Sequence, residues 1–315
     1  LAEGEAFARE IVQKGYGTIV AGGGDGTLMQ TINMIHHYID ESNRWRIERF
    51  KRFGEKQPLL KTPRFAFLRL GTGNGIARII GATNPIKDLK KLVNYLPGRT
   101  WHMPLIKIND ERCFFTGIGY DSLLLNDYNW IKSNTTNRFV KFFMHTVLGY
   151  VIALLTRTLP RLLWHKLQLN AKITTRKKAY YIDPRRGDAI IEIAPGTTIW
   201  EGPAVFIGAA TSSFYGYGMK IFPFANMMPN TMHLRLSKIK PLTALINLYS
   251  LWRGSYRNSD SICDFLVEDV DITLDKPFAF QHSGDDKGKI TDIRFQVTEE
   301  ELKLVDFYRP NLTNQ

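Results

Sequence analysis

Residues 18–27 read TIVAGGGDGT, a short β-type run followed by a glycine-rich loop. Apolar residues at helical spacing precede this stretch at 2–14, and helical spacing resumes after it from Leu28 to His36. The predicted order is therefore helix, strand, glycine loop, helix. This order is typical of α/β proteins, in which ligands bind at the carboxyl ends of parallel strands.

A second loop of the same kind follows a second predicted strand. Residues 64–70 form a mostly apolar run typical of a buried strand, and residues 71–75 read GTGNG. A helix is predicted from Ile76 to Ile80, and Asn84-Pro85 begins a further helix that reaches Tyr95. Strand ends of one parallel sheet face the same edge, so the two loops predict one ligand site.

The chemistry of the first loop favours a phosphate ligand. Glycines let backbone N–H groups approach phosphate oxygens, and a helix N-terminus adds partial positive charge. Asp25 would repel phosphates unless it holds Mg²⁺ or orients a reacting hydroxyl group. The alternative is a tight turn in which Asp25 only caps a helix. Neither the lysine of a P-loop nor the GxGxxG dinucleotide spacing is present.

After about residue 100 the pattern changes to short alternating runs that predict strands of a β-sandwich. We expect an α/β fold class with an open parallel sheet in an N-terminal domain (1–100) and a sandwich domain (101–300). The segment 301–315 is expected to return to the first domain, and 37–62 is interpreted as a surface insertion. The predicted strands cover residues 103–108, 112–117, 166–174, 189–193, 203–210, 232–238, 265–274 and 292–298.

Charge and hydropathy indicate an anionic partner. The formal net charge is +12, and residues 157–186 hold nine Lys/Arg against one acid, Asp183. This basic cluster is either a membrane-facing patch or an ordinary solvated face. The apolar stretch 139–164 precedes it, but its cleanest run, 147–155, is too short to cross a bilayer. A core helix or an interfacial helix is expected there instead.

The cysteines exclude two classes of stabilised fold. Cys113 and Cys263 are far apart and lack the spacing of zinc ligands or of a disulfide framework. No signal-peptide pattern follows Leu1. These features predict a protein of the reducing cytosol.

The motifs resemble, in order, those of the diacylglycerol kinase catalytic-domain family, which includes bacterial lipid kinases, sphingosine kinases and ceramide kinases. The resemblance covers about residues 17–310. It rests on GGGDGT at 22–27, LGTGNGIAR at 70–78, Gly117 to Asp121, Tyr215 to Met219 with Pro223 and Ala225, and Gln281 to Asp285.

The resemblance implies a nucleotide-binding α/β domain and a C-terminal β-sandwich that holds lipid. The implied reaction transfers the γ-phosphate of ATP to a hydroxyl of a diacylglycerol- or sphingoid-type lipid. Asp25 would position Mg²⁺ or the acceptor hydroxyl, and Asp121 would lie near the lipid head group unless it only forms a turn. The implied nucleotide-binding residues are Gly22, Gly23, Gly24, Gly26, Thr27, Gly71, Thr72, Gly73 and Asn74.

Three features depart from the family pattern. The sequence is expected to begin after the family's first strand and its N-P-x-x-G loop. Gly75 stands where an aspartate is common, and the usual Q-x-D-G-E string reads QHSGD at 281–285. Asp285 therefore replaces the glutamate that serves some members as general base, and we expect reduced but real kinase activity. His282 is expected in an exposed turn and is not taken as the base.

The expected partners are a lipid with a free hydroxyl and an anionic membrane surface, which implies a cytoplasmic protein associated peripherally with membranes. No nucleic acid is expected, because the basic residues lack interleaved aromatic side chains. Two alternatives stay open. One is an enzyme like NAD kinase, which shares a GGDG loop although no NTDG-type segment is found here. The other is a catalytically impaired lipid-binding protein of the same fold.

Overall fold

The structure is a computed structural model that describes residues 2–71, 74–95, 99–136, 143–144, 146–164, 168–215 and 218–308. The chain divides into two compact units. The first unit comprises Leu1–Met103, Asp110–Arg112 and Glu301–Gln315, and the second comprises Pro104–Asn109 and Cys113–Glu300.

Strands and helices alternate in the first third of the chain, and strands dominate the rest. The strands are β1 (Thr18–Gly23), β2 (Arg64–Arg69), β3 (Thr100–Met103), β4 (Ile106–Ile108), β5 (Glu111–Cys113), β6 (Phe115–Gly119), β7 (Leu169–Thr175), β8 (Ala179–Asp183), β9 (Ala189–Ile193), β10 (Thr198–Ala204), β11 (Phe206–Ala210), β12 (Met232–Ser237), β13 (Ile262–Val267), β14 (Asp269–His282), β15 (Asp285–Val297) and β16 (Leu302–Val305). The α-helices are α1 (Ala2–Gln13), α2 (Asp25–Phe53), α3 (Gly75–Ile79), α4 (Pro85–Tyr95), α5 (Tyr120–Asn134), α6 (Val147–Ala153), α7 (Leu159–Trp164), α8 (Pro241–Ile246) and α9 (Leu248–Arg253). A π-helical turn at Leu154–Thr158 joins α6 to α7, and a 3₁₀ turn covers Pro184–Arg186.

The first unit is built on a four-stranded sheet in the order β1-β2-β16-β3. β2 is parallel to both β1 and β16, and β3 is antiparallel to β16. The pairing of β1 with β2 ends level, with Gly23 opposite Arg69, so both glycine loops leave the same edge of the sheet. Phe65 and Phe67 of β2 and Leu28 of α2 are fully buried in this unit.

Helix α2 is longer than predicted. The segment 37–62 was interpreted as a surface insertion, but α2 continues without a break to Phe53 and ends at Gly54 in the left-handed conformation (φ 69°). The last buried side chain of α2 is Ile39. Beyond it the helix is mostly solvated, so its sequence carries no apolar stripe. Asn43 still exchanges hydrogen bonds with the backbone of Leu60. The segment lies at the surface as predicted, but residues 37–53 continue α2, which the sequence pattern did not indicate.

The second unit contains a large, predominantly antiparallel sheet of twelve strands in the order β5-β4-β15-β14-β6-β11-β12-β13-β8-β9, to which β7 and β10 are added. Strand β14 divides this sheet, because its first half pairs with β7 and its last residues pair with β6. The side chains that point inward from both branches form one large apolar core. The predicted α/β fold class, with a parallel-sheet first part and an antiparallel second part, is confirmed.

A buried ion pair lies among β12 and β13. Arg235 donates from Nε and Nη2 to the two carboxylate oxygens of Asp264, at 2.6 and 2.9 Å, and from Nη1 to the carbonyl of Ile221. Burial raises the pKa of Asp264, but Arg235 and His233 together more than offset this and lower it overall. This bidentate pair fixes the register of two central strands.

The segment Val147–Trp164 is one helix of 18 residues across its π turn. By length and composition alone it is apolar enough to cross a bilayer, although its cleanest apolar run, 147–155, is too short to do so. Only 22% of it is buried. Most of this helix is therefore not buried, whereas a core helix would be. Residues 137–142 and 145, at the start of the predicted helix, lie outside the described residues.

Candidate active site

The loop after β1 presents an uncapped helix N-terminus. Gly24 is the N-cap of α2, has extended backbone, and offers no side chain to cap the first turn. Gly22, Gly26 and Thr27 are exposed at this end. The first-turn N–H groups of a 29-residue helix can therefore receive an anionic group, and the helix dipole adds to the attraction.

The two glycine loops are in backbone contact. The Gly23 carbonyl accepts hydrogen bonds from the N–H groups of Leu70 and Gly71, at 2.9 and 2.7 Å. A Cβ at Gly71 would lie 2.3 Å from the Cα of Gly24, and a Cβ at Gly23 would lie 2.6 Å from the Cβ of Thr27. Glycine at both positions is therefore required by space, and not only by backbone freedom.

Asp25 joins the loops chemically. Its Oδ2 accepts a hydrogen bond from the N–H of Gly75 at 2.7 Å, and its Oδ1 accepts one from the N–H of Ile76 at 3.1 Å. The carboxylate thus caps α3, which follows the second loop, and not its own helix. Burial raises the pKa of Asp25, and the two N–H donors act against that shift. A carboxyl whose pKa is raised is a stronger base for a hydroxyl proton.

Asn74 is held in an unusual conformation at the start of α3. Its φ is 45°, its Nδ2 donates to the carbonyl of Gly71, and its side chain is buried. Its Oδ1 has no hydrogen-bond partner among the described residues. A buried acceptor of this kind calls for a ligand or a water. Thr72 and Gly73, the other predicted residues of this loop, lie outside the described residues.

These donors suit Mg²⁺, which prefers oxygen ligands and is usually held by one or two carboxylates together with substrate phosphates and waters. Asp25 supplies a carboxylate, and Asn74, beside the N–H that Asp25 accepts, supplies an unpartnered amide oxygen. Within the described ranges, no three His, Cys, Asp or Glu side chains form a metal cluster. The residues therefore fit an ion that arrives with a nucleotide.

Asp121 lies in the second unit, in the first turn of α5. A Cβ at Gly117 would lie 1.8 Å from its Oδ2, so Gly117 makes the room that the carboxylate occupies. Gly119 has φ 113°, and a Cβ there would meet the carbonyl of Val205 at 2.3 Å. The Gly-x-Gly-x-Asp spacing thus lets the chain pass directly from β6 into α5 and places the Asp121 carboxylate against Gly117 of β6.

Asp121 belongs to a polar trio. Its Oδ2 accepts from the Tyr215 hydroxyl at 2.6 Å and from Nε2 of Gln281 at 3.0 Å, and Nε2 also contacts the Tyr215 oxygen at 2.5 Å. Burial raises the pKa of Asp121 despite these donors, and it raises the pKa of Tyr215 as well. The sequence placed Tyr215 and Gln281 inside resembling motifs, but only the structure brings them to Asp121.

The trio stands at the polar end of an apolar cavity of about 210 Å³. A second cavity of about 210 Å³ is its neighbour, since Asp121, Leu124, Leu154 and Leu248 line both. The first is also lined by Phe115, Leu125, Val147, Tyr150, Val151, Tyr215, Met219, Trp252, Gln281 and Gly284.

Asp285 follows a two-residue turn between β14 and β15. Ser283 (φ 49°) and Gly284 (φ 86°) are both left-handed, as a tight hairpin turn requires. Asp285 is exposed, and its turn is tied to the trio because Oε1 of Gln281 accepts the N–H of Gly284 at 3.0 Å. His282 is buried, so the prediction that it lies in an exposed turn was wrong.

The comparisons with known proteins agree on the first part of the chain. Residues 2–106 match the family model described as the diacylglycerol kinase catalytic domain. This segment, about a third of the chain, is similar to that family. No curated protein matches the chain.

Two solved structures from Bacillus anthracis strain Sterne share the fold. One, described as a candidate diacylglycerol kinase, has a TM-score of 0.60 and 14% identity over 96% of this chain and 83% of that chain. Another, described as a diacylglycerol kinase, has a TM-score of 0.56 and 12% identity over 96% of this chain and 80% of that chain. Identities this low establish the fold alone.

The segment that matches the family model contains both glycine loops, Asp25 and Asn74. Asp121 and Asp285 lie beyond residue 106, where only the fold is shared. The nucleotide half of the predicted site thus rests on a family match. The roles of the acceptor half rest on its geometry.

Gly71→Ala tests the contact between the loops. The new methyl group would lie 2.3 Å from the Gly24 Cα, which forces two backbones apart, and we expect a loss of about 1–3 kcal/mol in the free energy of unfolding. Gly26→Ala is the matched control, because nothing lies within 4 Å of its Cβ position and the change should stay within about 0.5 kcal/mol. Urea unfolding measures both. Equal stability of the two variants would contradict the described contact.

Proposed function

We propose that this protein is an ATP-dependent lipid kinase that transfers the γ-phosphate of ATP to a hydroxyl of a diacylglycerol- or sphingoid-type lipid. One observation carries the proposal. A chain that begins with a diacylglycerol kinase catalytic domain also holds an apolar cavity with a single polar end, formed by Asp121, Tyr215 and Gln281. An amphiphile with a hydroxyl head group and an apolar chain fits such a cavity.

The nucleotide half of the proposal assigns ATP to the two glycine loops. The exposed N-terminus of α2 and the N–H groups of Gly26 and Thr27 would bind its phosphates. Asp25 and Asn74 would hold Mg²⁺, which on binding would neutralise charge on the β- and γ-phosphates. Predicted contacts from Thr72 and Gly73 remain part of this proposal.

The apolar lining of the cavity favours a lipid over NAD as the acceptor. The adenosine part of NAD carries sugar hydroxyls and ring nitrogens, and each would lose hydrogen bonds to water against walls such as Leu124, Leu154 and Trp252. The acyl chain of a lipid has no hydrogen bonds to water to lose, and it gains apolar contact with these walls. The polar trio would then bind the hydroxyl or amine of the head group.

The reaction needs an acceptor oxygen, a leaving group and a base. The lipid oxygen forms a bond to the γ-phosphorus while the bond from that phosphorus to the bridging oxygen of ADP breaks, so ADP leaves. The hydroxyl proton passes to a carboxylate, for which Asp285 is the first candidate and Asp25 the second. Positioning and charge neutralisation supply most of the acceleration in such transfers.

Transfer of labelled phosphate from ATP to a panel of acceptors tests the function. We expect a labelled phospholipid from diacylglycerol, sphingosine, ceramide or monoacylglycerol, in the presence of Mg²⁺, and no labelled NADP from NAD. Labelled NADP would support the NAD kinase alternative. Binding of a fluorescent lipid without any labelled product would support a catalytically impaired lipid-binding protein.

Substitution of the two carboxylates separates their roles. We expect Asp285→Ala to lower kcat by roughly 100-fold or more, because the hydroxyl loses its base, and Asp25→Asn to abolish transfer by disturbing both loops. Asp286→Ala, which removes the adjacent exposed carboxylate, should stay near wild type. If Asp285→Ala retained kcat within about twofold while Asp25→Asn abolished transfer, the base would be Asp25.

A further inference from the structure

The buried side of the helix Val147–Trp164 consists mostly of small and polar side chains, and most of the exposed side chains are large and apolar. Its buried residues are Gly149, Ala153, Thr158 and Leu162. The spacing is four, five and four residues, and the π turn supplies the extra residue in the middle. A helix on the surface of a water-soluble protein normally buries most of its leucines, whereas Leu162 is the one buried leucine of this helix, every residue of which the structure describes.

Both charged residues of this helix turn toward the protein. Arg161 donates to Oδ1 of Asp127 at 2.6 Å, Arg157 donates to the same oxygen at 3.3 Å, and Thr158 donates to Oδ2 at 2.8 Å. Asp127 is a buried residue of α5. The guanidinium of Arg157 also lies 3.7 Å from the ring centre of Trp130. The helix thus satisfies its polar groups internally, as a surface that faces an apolar medium must.

Large apolar residues dominate the outward side of the helix, where Thr156 is the one exposed polar residue in the described range 147–164. Trp164 is 83% exposed, and four other apolar side chains are between 39% and 53% exposed. Helices α8 and α9 add a second group that buries no side chain fully. The outward apolar face consists of Leu148, Val151, Leu155, Leu163 and Trp164 from the first helix and Leu242, Leu245, Ile246, Leu248 and Tyr249 from the second group.

The same elements form the walls of both cavities. Leu154 of the π turn and Leu248 of α9 line the two cavities together, and Leu162 and Leu251 line the second one. A lipid that enters between α7 and α8 would therefore stay in contact with apolar side chains throughout. The outward apolar face is therefore continuous with the apolar walls of the two cavities.

Charge decides which partner covers this face. Residues 147–164 and 241–253 contain no Asp or Glu, and the exposed cations Lys238, Lys240 and Arg253 lie at the ends of α8–α9. A second copy of the chain would bring like charges together, whereas anionic head groups complement them. Exposed Trp164 and Tyr249 are residue types that favour the membrane interface.

The basic cluster predicted at 157–186 is a weaker membrane element than the sequence implied. Each of its lysines and arginines that the structure describes lies within 3.8 Å of a carboxylate oxygen. Lys166 lies outside the described residues. Most of this positive charge is therefore neutralised locally, so apolar insertion has to supply much of any bilayer affinity.

We propose that the outward apolar face lies in the surface of a lipid bilayer, and that the acceptor lipid passes from the bilayer between α7 and α8 into the cavity at Asp121. The proposal rests on the proposed function, since it names the source of that enzyme's lipid. The helix lies on the bilayer and does not cross it, because Arg157 and Arg161 are held on Asp127 and Tyr150 stacks on Tyr128 of α5 at 4.0 Å.

Co-sedimentation with vesicles of phosphatidylcholine and phosphatidylglycerol tests the face. The double variant Leu155→Glu/Leu163→Glu changes two outward residues that line neither cavity. We expect its vesicle affinity to fall by roughly tenfold or more, and wild-type binding to persist in part at high salt. The matched control is Ile86→Glu/Val93→Glu, two residues of α4 that are 68% and 75% exposed, which should bind as wild type does.

Two outcomes would overturn the proposal. One is unchanged vesicle binding by the Leu155→Glu/Leu163→Glu variant when its thermal unfolding matches that of the control. The other is a wild-type dimer in sedimentation velocity that this variant converts to a monomer with no change in vesicle binding, which would assign the face to a second copy.

Kinase assays separate this proposal from the proposed function. With a short-chain diacylglycerol dispersed as monomers, Leu155→Glu/Leu163→Glu should retain wild-type transfer, whereas transfer to vesicle-borne diacylglycerol should fall with vesicle binding. A wild type that binds vesicles through the face but phosphorylates no lipid would refute the kinase and leave the bilayer surface standing. Equal loss of transfer on both substrates would contradict entry from the bilayer.

Discussion

The Asp25 carboxylate ties together the two loops that follow β1 and β2, and the proposed nucleotide site depends on it. It accepts the first N–H groups of α3 while it stands at the first turn of α2. That bridge is possible only because Gly24 and Gly71 are in backbone contact, which a side chain at Gly71 would prevent. One acid and a few glycines therefore convert two loops into a single rigid surface of N–H donors. Strands β1 and β2 end at the same level, so the two loops that follow them lie at the same edge of the sheet.

The acceptor half follows from a different constraint, the burial of polar groups in an apolar cavity. Asp121, Tyr215 and Gln281 satisfy one another's hydrogen bonds, and their burial keeps the Asp121 pKa raised. Such a trio is costly to leave without hydrogen-bond partners, and it lies where the head group of the proposed lipid would bind. The hydrogen bond from Gly284 to Gln281 extends this order to the turn that carries Asp285. The proposed head-group site and the turn that carries the proposed base are thus joined by one hydrogen-bonded network.

Much of this arrangement could be predicted from the sequence, because local patterns encode it. The strand, loop and helix around residues 18–36 follow from apolar spacing and glycine content, and the family match covers that part. The extension of α2 to Phe53 could not be predicted, since a solvated helix carries no apolar stripe. The trio could not be predicted either, because residues 94 and 66 positions apart meet only through β-sheet pairing. The outward apolar face of the helix Val147–Trp164 could not be predicted, because hydropathy reports how apolar a helix is and not which of its sides is exposed.

Steady-state kinetics of Leu124→Trp test most directly whether the cavity at Asp121 holds the acceptor lipid of a kinase. Leu124 lines both cavities, and the indole would fill space that an acyl chain needs. A lipid kinase that uses this cavity should show a KM for lipid raised by roughly tenfold or more, with the KM for ATP unchanged. Unchanged KM values for both substrates, in a variant that folds and turns over, would contradict the assignment of the cavity to the lipid.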